Sequence, residues 1–124
     1  MPSTPADFRR LALALPETEQ RQHMNHPDFR VAGKIFATLG YPDKTRGMVK
    51  LTPIQQQELV ESRPTAFSPV HGAWGRQGCT SVLLFKTPKR VLKDAILAAW
   101  RNHAPKVLAL KSLRRKSKST RGIA

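Results

Sequence analysis

Few residues in this sequence can do chemistry. His23 and His26 stand three apart, and His71, His103 and Cys79 are the remaining soft donors. Imidazoles at that spacing can share a metal ion. His26, however, precedes Pro27 in a turn, and one cysteine cannot build a cysteine-based zinc site. We therefore expect no metal and no cofactor. His26 is read as tying its turn together through a side-chain to backbone hydrogen bond; His71 and His103 read as loop and helix-end residues. Cys79 with a histidine would make a nucleophilic pair, but no local signature supports one. At the start of a strand it is expected to be a small buried hydrophobe. The acids Asp7, Glu17, Glu19, Asp28, Asp43, Glu58, Glu61 and Asp94 are scattered and form no acid–base pair. No residue is expected to be catalytic.

The cations carry the stronger signal. There are 22 Lys and Arg against 8 Asp and Glu, a net charge of +14. Residues 106–124 hold seven of the cations and no acid, so the body is basic in its own right. In Arg30-Val31-Ala32-Gly33-Lys34 a two-residue turn is flanked by Arg30 and Lys34. Such a tip can contact phosphates; alternatively it is a solvated hairpin in which Arg30 pairs with Asp28 or a neighbouring acid. In Gly72-Ala73-Trp74-Gly75-Arg76-Gln77-Gly78, Trp74 beside Arg76 suits stacking on a planar ligand. The competing expectation, and the one we favour, folds Trp74 under the sheet as a core anchor. Lys89, Arg90 and Lys93 line the polar side of a helix, and Lys111, Arg114, Arg115, Lys116, Lys118 and Arg121 form a basic arm after it. Helix and arm together can make one continuous basic surface. The leading partner is nucleic acid, DNA before RNA, held mainly through phosphate. The alternative is an acidic protein or a small anionic ligand held in a cleft near His26, Trp74 and Arg76.

These side chains must be positioned by a short list of elements. Thr4-Pro5, Thr52-Pro53 and Thr87-Pro88 each set an N-cap hydroxyl before a proline suited to a first helical turn. Gln55 completes a capping box with Thr52, and Asp7 a weaker one with Thr4. Apolar spacing then predicts helices over about 5–15, 53–62 and 88–103. Strands are predicted over 20–24, 29–31, 35–39, 47–51 and 80–85, bounded by turn residues. The reading is α+β: an antiparallel sheet of about five strands with three helices, ordered α-β-β-β-β-α-β-α. One domain should cover 1–110, with 111–124 expected to be a basic, disordered tail too poor in apolar residues to order itself.

Several of these segments fall in a familiar order. His26-Pro27-Asp28-Phe29-Arg30-Val31, Gly33-Lys34-Ile35-Phe36-Ala37, Lys50-Leu51-Thr52 and Gly72-Ala73-Trp74-Gly75 together resemble the MmcQ/YjbR family, over roughly residues 6–109. The resemblance implies a small α+β domain like the bacterial frataxin (CyaY) fold, with helices on one face of the sheet. It also implies the DNA-binding label that the family often carries, through exposed hairpin wings. It does not extend to iron, because the first helix carries Arg9 and Arg10 with only Asp7. No apolar run reaches the length of a membrane span, and the first residues lack the pattern of a signal peptide. The expected setting is cytoplasmic, without membrane attachment.

Overall fold

The structure is a computed structural model and describes residues 2–41 and 43–109. The expectations placed on Lys111, Arg114, Arg115, Lys116, Lys118 and Arg121, and on a tail beginning at 111, lie outside the described residues. The chain runs α1 (Pro5–Leu13), β1 (Thr18–His23), β2 (His26–Val31), β3 (Lys34–Leu39), β4 (Arg46–Lys50), α2 (Pro53–Ser62), β5 (Phe67–Pro69), α3 (Ala73–Arg76), β6 (Cys79–Leu83), a 3-10 turn (Leu84–Lys86) and α4 (Lys89–His103). The strands form one antiparallel sheet in the order β1-β2-β3-β4-β6-β5.

Local chemistry accounts for most of these boundaries. Both predicted capping boxes form: Thr4 with Asp7 at α1, and Thr52 with Gln55 at α2. The third Thr-Pro does not act as a cap. Thr87 instead donates its hydroxyl to the Leu83 carbonyl at 2.8 Å, and α4 starts from Pro88 without a side-chain cap. Two short elements escaped the sequence reading. β5 is three residues long and ends in a proline, so no alternation has room to show; α3 is one turn inside a glycine-rich stretch. The β1–β2 turn is Met24-Asn25, both at positive φ, so Pro27 and Asp28 belong to the strand rather than to the turn.

Ladder register sorts side chains onto two faces, since residues paired across strands point the same way. Phe29, Ala37, Val49 and Thr80 share the first face, as do Leu39, Gly47, Val82 and Phe67. Here α1 and α4 deliver Phe8, Ala12, Leu92, Ile96, Ala99 and Trp100 to build the core. Trp100 is fully buried, and its indole N–H donates to the Pro16 carbonyl at 3.1 Å, joining α4 to the end of α1. Asp28, Thr38, Met48, Ser81 and Ser68 share the opposite face. A bulge at Phe36 in β3 then keeps Ile35 on that face, opposite Arg30.

Candidate functional site

The second face of the sheet carries a trough of about 370 Å³. Its floor is Ile35 and Thr38 from β3, Met48 and Lys50 from β4, and Cys79 from β6. His23, Met24 and Tyr41 close it at the end where β1 turns into β2; Val70 and Trp74 close it at the other. The lining is mainly apolar. Met48 and Cys79 are buried yet stand apart from the helix-packed core, so the trough has a small apolar layer of its own.

Trp74 decides the character of this site. The expectation of a core anchor is overturned, because 59% of its surface is exposed. The indole that anchors the core is Trp100. The reason lies in α3, whose single turn is held by backbone contacts rather than by its tryptophan. Gly75 is packed so closely on the Val70 carbonyl that a Cβ there would overlap it. Gly78 lies at φ +113°, against the Leu51 carbonyl. Gln56 of α2 donates to the carbonyls of Gly75 and Cys79, both at 3.0 Å. With the backbone pinned, Trp74 is left at the rim of the trough. The Lys50 ammonium sits 5.6 Å from its ring centre, a cation–π contact.

At the opposite end, Asp28 is fully buried and collects three donors. His23 Nδ1 lies 2.7 Å from one carboxylate oxygen, and Arg30 donates from Nε at 2.8 Å and Nη2 at 3.1 Å. Burial alone would push the Asp28 carboxyl up. The hydrogen bonds from Arg30 and His23 outweigh it and hold the group below the usual carboxylate range. Of the two readings of Arg30, the pairing with Asp28 is the one found. Among the described residues, Lys50 is the only Lys, Arg, Asp or Glu on the trough wall. Burial pushes the Cys79 thiol up, with Lys50 offsetting part of that rise. Thr38 is 2% exposed, and its hydroxyl has no hydrogen-bond partner among the described residues. An unpaired buried hydroxyl costs about 1–3 kcal/mol.

The remaining predicted residues are placed as follows. His26 makes no side-chain hydrogen bond among the described residues and packs its ring edge-on against Tyr41, centres 5.9 Å apart. The turn-tying bond is therefore replaced by an aromatic contact. Of the predicted cleft of His26, Trp74 and Arg76, only Trp74 lines the trough. Lys34 begins β3 beyond the Ala32-Gly33 turn and is exposed, as is Arg76 at the end of α3. Lys89 lies 3.9 Å from Asp7, while Arg90 and Lys93 are exposed. Asn102, near the end of α4, donates to the Lys50 carbonyl at 3.3 Å. The start of α4 therefore lies at the other end of the sheet, roughly 15–20 Å away at 1.5 Å per residue. Lys89, Arg90 and Lys93 thus stand toward that other end, and the arm expected to continue their surface lies outside the described residues.

The sequence reading missed Ile35, Thr38, Tyr41, Met48, Lys50 and Val70. A signal was present: Phe36-Ala37-Thr38-Leu39 and Met48-Val49 are apolar or small without alternation, the pattern of strands covered on both faces.

Among the described residues no helix is long and apolar enough to cross a membrane, and no group of three or more His, Cys, Asp or Glu is placed to hold a metal ion. A family model described as YjbR matches residues 13–102. The fold is similar to the crystal structure of Deinococcus radiodurans protein DR2400, which carries a DUF419 domain. The TM-score is 0.68 at 18% identity, covering 81% of this chain and 78% of that one. A comparison with curated proteins finds no match.

Proposed function

The chain belongs to the YjbR family, and on that footing we propose that it is a non-enzymatic, cytoplasmic protein that binds nucleic acid, DNA before RNA, mainly through phosphate. The observation that carries this reading is a set of exposed cations with no acidic partner. Asp7 pairs with both Arg10 and Lys89, Glu19 with Arg21, Asp28 with Arg30 and Asp43 with Arg46. Lys34, Arg76, Arg90 and Lys93 form no ion pair among the described residues. Lys34 stands at the sheet end where α4 finishes, from which the chain continues toward Lys106 and the six cations of 111–124. Cations that owe nothing to an internal acid are free to displace counterions from a phosphate backbone. Arg30 does not belong to this set: it is spent on Asp28, and its contribution is structural.

The test is a salt titration of duplex-DNA binding by the full chain. It is run beside a variant in which Lys111, Arg114, Arg115, Lys116, Lys118 and Arg121 become Gln, and beside Lys34→Gln/Arg76→Gln. Each phosphate neutralised contributes a slope of about −0.9 in log K against log salt. The tail variant should flatten the slope by up to about 5, and the double variant by about 2, equally for unrelated DNA sequences. Binding without salt dependence, or variants indistinguishable from the parent chain, would sink the proposal. A full-length chain is preferable to truncation at 105, because Leu108 and Ala109 pack against the core.

A further inference from the structure

We propose that the trough on the second sheet face is a binding site for a small apolar carboxylate, with the carboxylate held at Lys50 and the apolar body lying over Ile35 and Met48. This site is separate from the phosphate-binding cations and stands or falls independently of them.

Its size places it at the lower end of the range for small-molecule cavities, about 300–1,000 Å³. Three large exposed apolar side chains gather on its rim, Met24 at 85% exposed, Trp74 at 59% and Tyr41 at 37%, whereas Leu13, Ile54, Phe85 and Val107 lie elsewhere. Large apolar side chains gathered around a concavity, rather than scattered, mark a place meant to be covered. Methionines at the floor and at one end let the walls adapt to an occupant.

Charge selects the sign of the ligand. Among the described residues the Asp28 carboxylate is already matched by Arg30, so Lys50 alone brings an uncompensated full charge to the wall. The cation–π contact with Trp74 holds the ammonium at one end of the trough rather than over its middle. A ligand with one anionic group at one end and an apolar remainder fits that arrangement. The buried Thr38 hydroxyl, without a partner, offers one further hydrogen bond to a polar atom on the ligand. The chain's own residues 111–124 are a poor occupant, since they carry six cations and no acid and would meet Lys50 with like charge.

The experiment uses the full chain, with 2-naphthoate, neutral 2-naphthamide and inorganic phosphate as probes. They are followed by calorimetry and by amide chemical shifts. The proposal expects 2-naphthoate to bind saturably at one site, moving the signals of Thr38, Met48, Lys50 and Cys79. 2-Naphthamide should bind at least about tenfold more weakly, the scale of one charge-assisted hydrogen bond. Lys50→Met should abolish that preference with the circular dichroism spectrum unchanged. Ile35→Trp, at a partly exposed floor position, should block both organic probes. The proposal is overturned if 2-naphthoate does not saturate, or if the carboxylate preference survives in Lys50→Met. It is equally overturned if phosphate moves the same signals with similar affinity, which would make Lys50 a bare anion contact. A dimer in sedimentation that Trp74→Ala dissociates would assign the trough to a second copy and also overturn it.

Discussion

Arg30 grips Asp28 through two parallel hydrogen bonds, 2.8 Å from Nε and 3.1 Å from Nη2, and the aspartate it holds is wholly buried beneath it. The two lie two residues apart on β2 and so share one face of the strand. A buried carboxylate is tolerated only when its charge is answered, and here a guanidinium and an imidazole answer it. Asp28→Asn removes the charge while keeping the shape, and leaves Arg30 facing a neutral amide. The expected loss is on the order of 2 kcal/mol in chemical denaturation at neutral pH.

That loss should depend on pH in a definite direction. The Asp28 carboxyl is held below its ordinary value of 3.8, so its contribution is fully present above that value. It is lost as pH falls through the lowered folded value. The stability gap between the parent chain and Asp28→Asn should therefore shrink below about pH 4. A gap that stays constant to pH 2 would contradict the ion-pair account.

The two tryptophans should report opposite environments. Trp74 is largely exposed and Trp100 fully buried. In Trp100→Phe the remaining emission should be red-shifted and readily quenched by acrylamide; in Trp74→Phe it should be blue-shifted and protected. Trp100→Phe also forfeits the bond to Pro16 and leaves a void, for a loss of about 1–3 kcal/mol. Trp74→Phe should cost little.

Gly78 is the backbone position on which the trough's far wall depends. At φ +113° and against the Leu51 carbonyl, it has no room for a side chain. Gly78→Ala should destabilise by about 3 kcal/mol, measured by urea denaturation, with the Trp74 environment changed in the folded fraction.

The two hairpin cations should separate cleanly. Lys34→Gln is expected to leave stability within about 0.5 kcal/mol and to reduce the DNA salt slope by about 1. Arg30→Gln should lower stability while leaving the slope nearly unchanged. The turn between them holds Ala32 at φ 52°, a left-handed conformation that asparagine tolerates better. Ala32→Asn should raise stability by up to about 1 kcal/mol in the same denaturation assay.

The sequence alone determined the features set by neighbours in the chain. Thr4 with Asp7, and Thr52 with Gln55, announced two helix starts because a capping box closes within four residues. The α+β class, the antiparallel pairing through the Ala32-Gly33 turn and the amphipathic α4 were legible for the same reason. So was the family, through four motifs in order. Thr87-Pro88 misled because a hydroxyl that can cap a helix can equally bind a strand carbonyl, and only the position of Leu83 chose between them. Trp74 and Trp100 show the larger limit. Both are indoles near glycine or alanine, and nothing local says which is buried. The packing of Gly75 on Val70 and of Gly78 on Leu51, contacts made by backbone atoms brought together by the sheet, turned one outward. The trough itself exists only in three dimensions: β-strand register set Thr38 beside Met48, and that beside Ser81, from stretches of chain up to 43 positions apart. Composition could count the cations; only the tertiary structure decided that Arg30 is committed to Asp28 and that Lys50 is left to face a cavity.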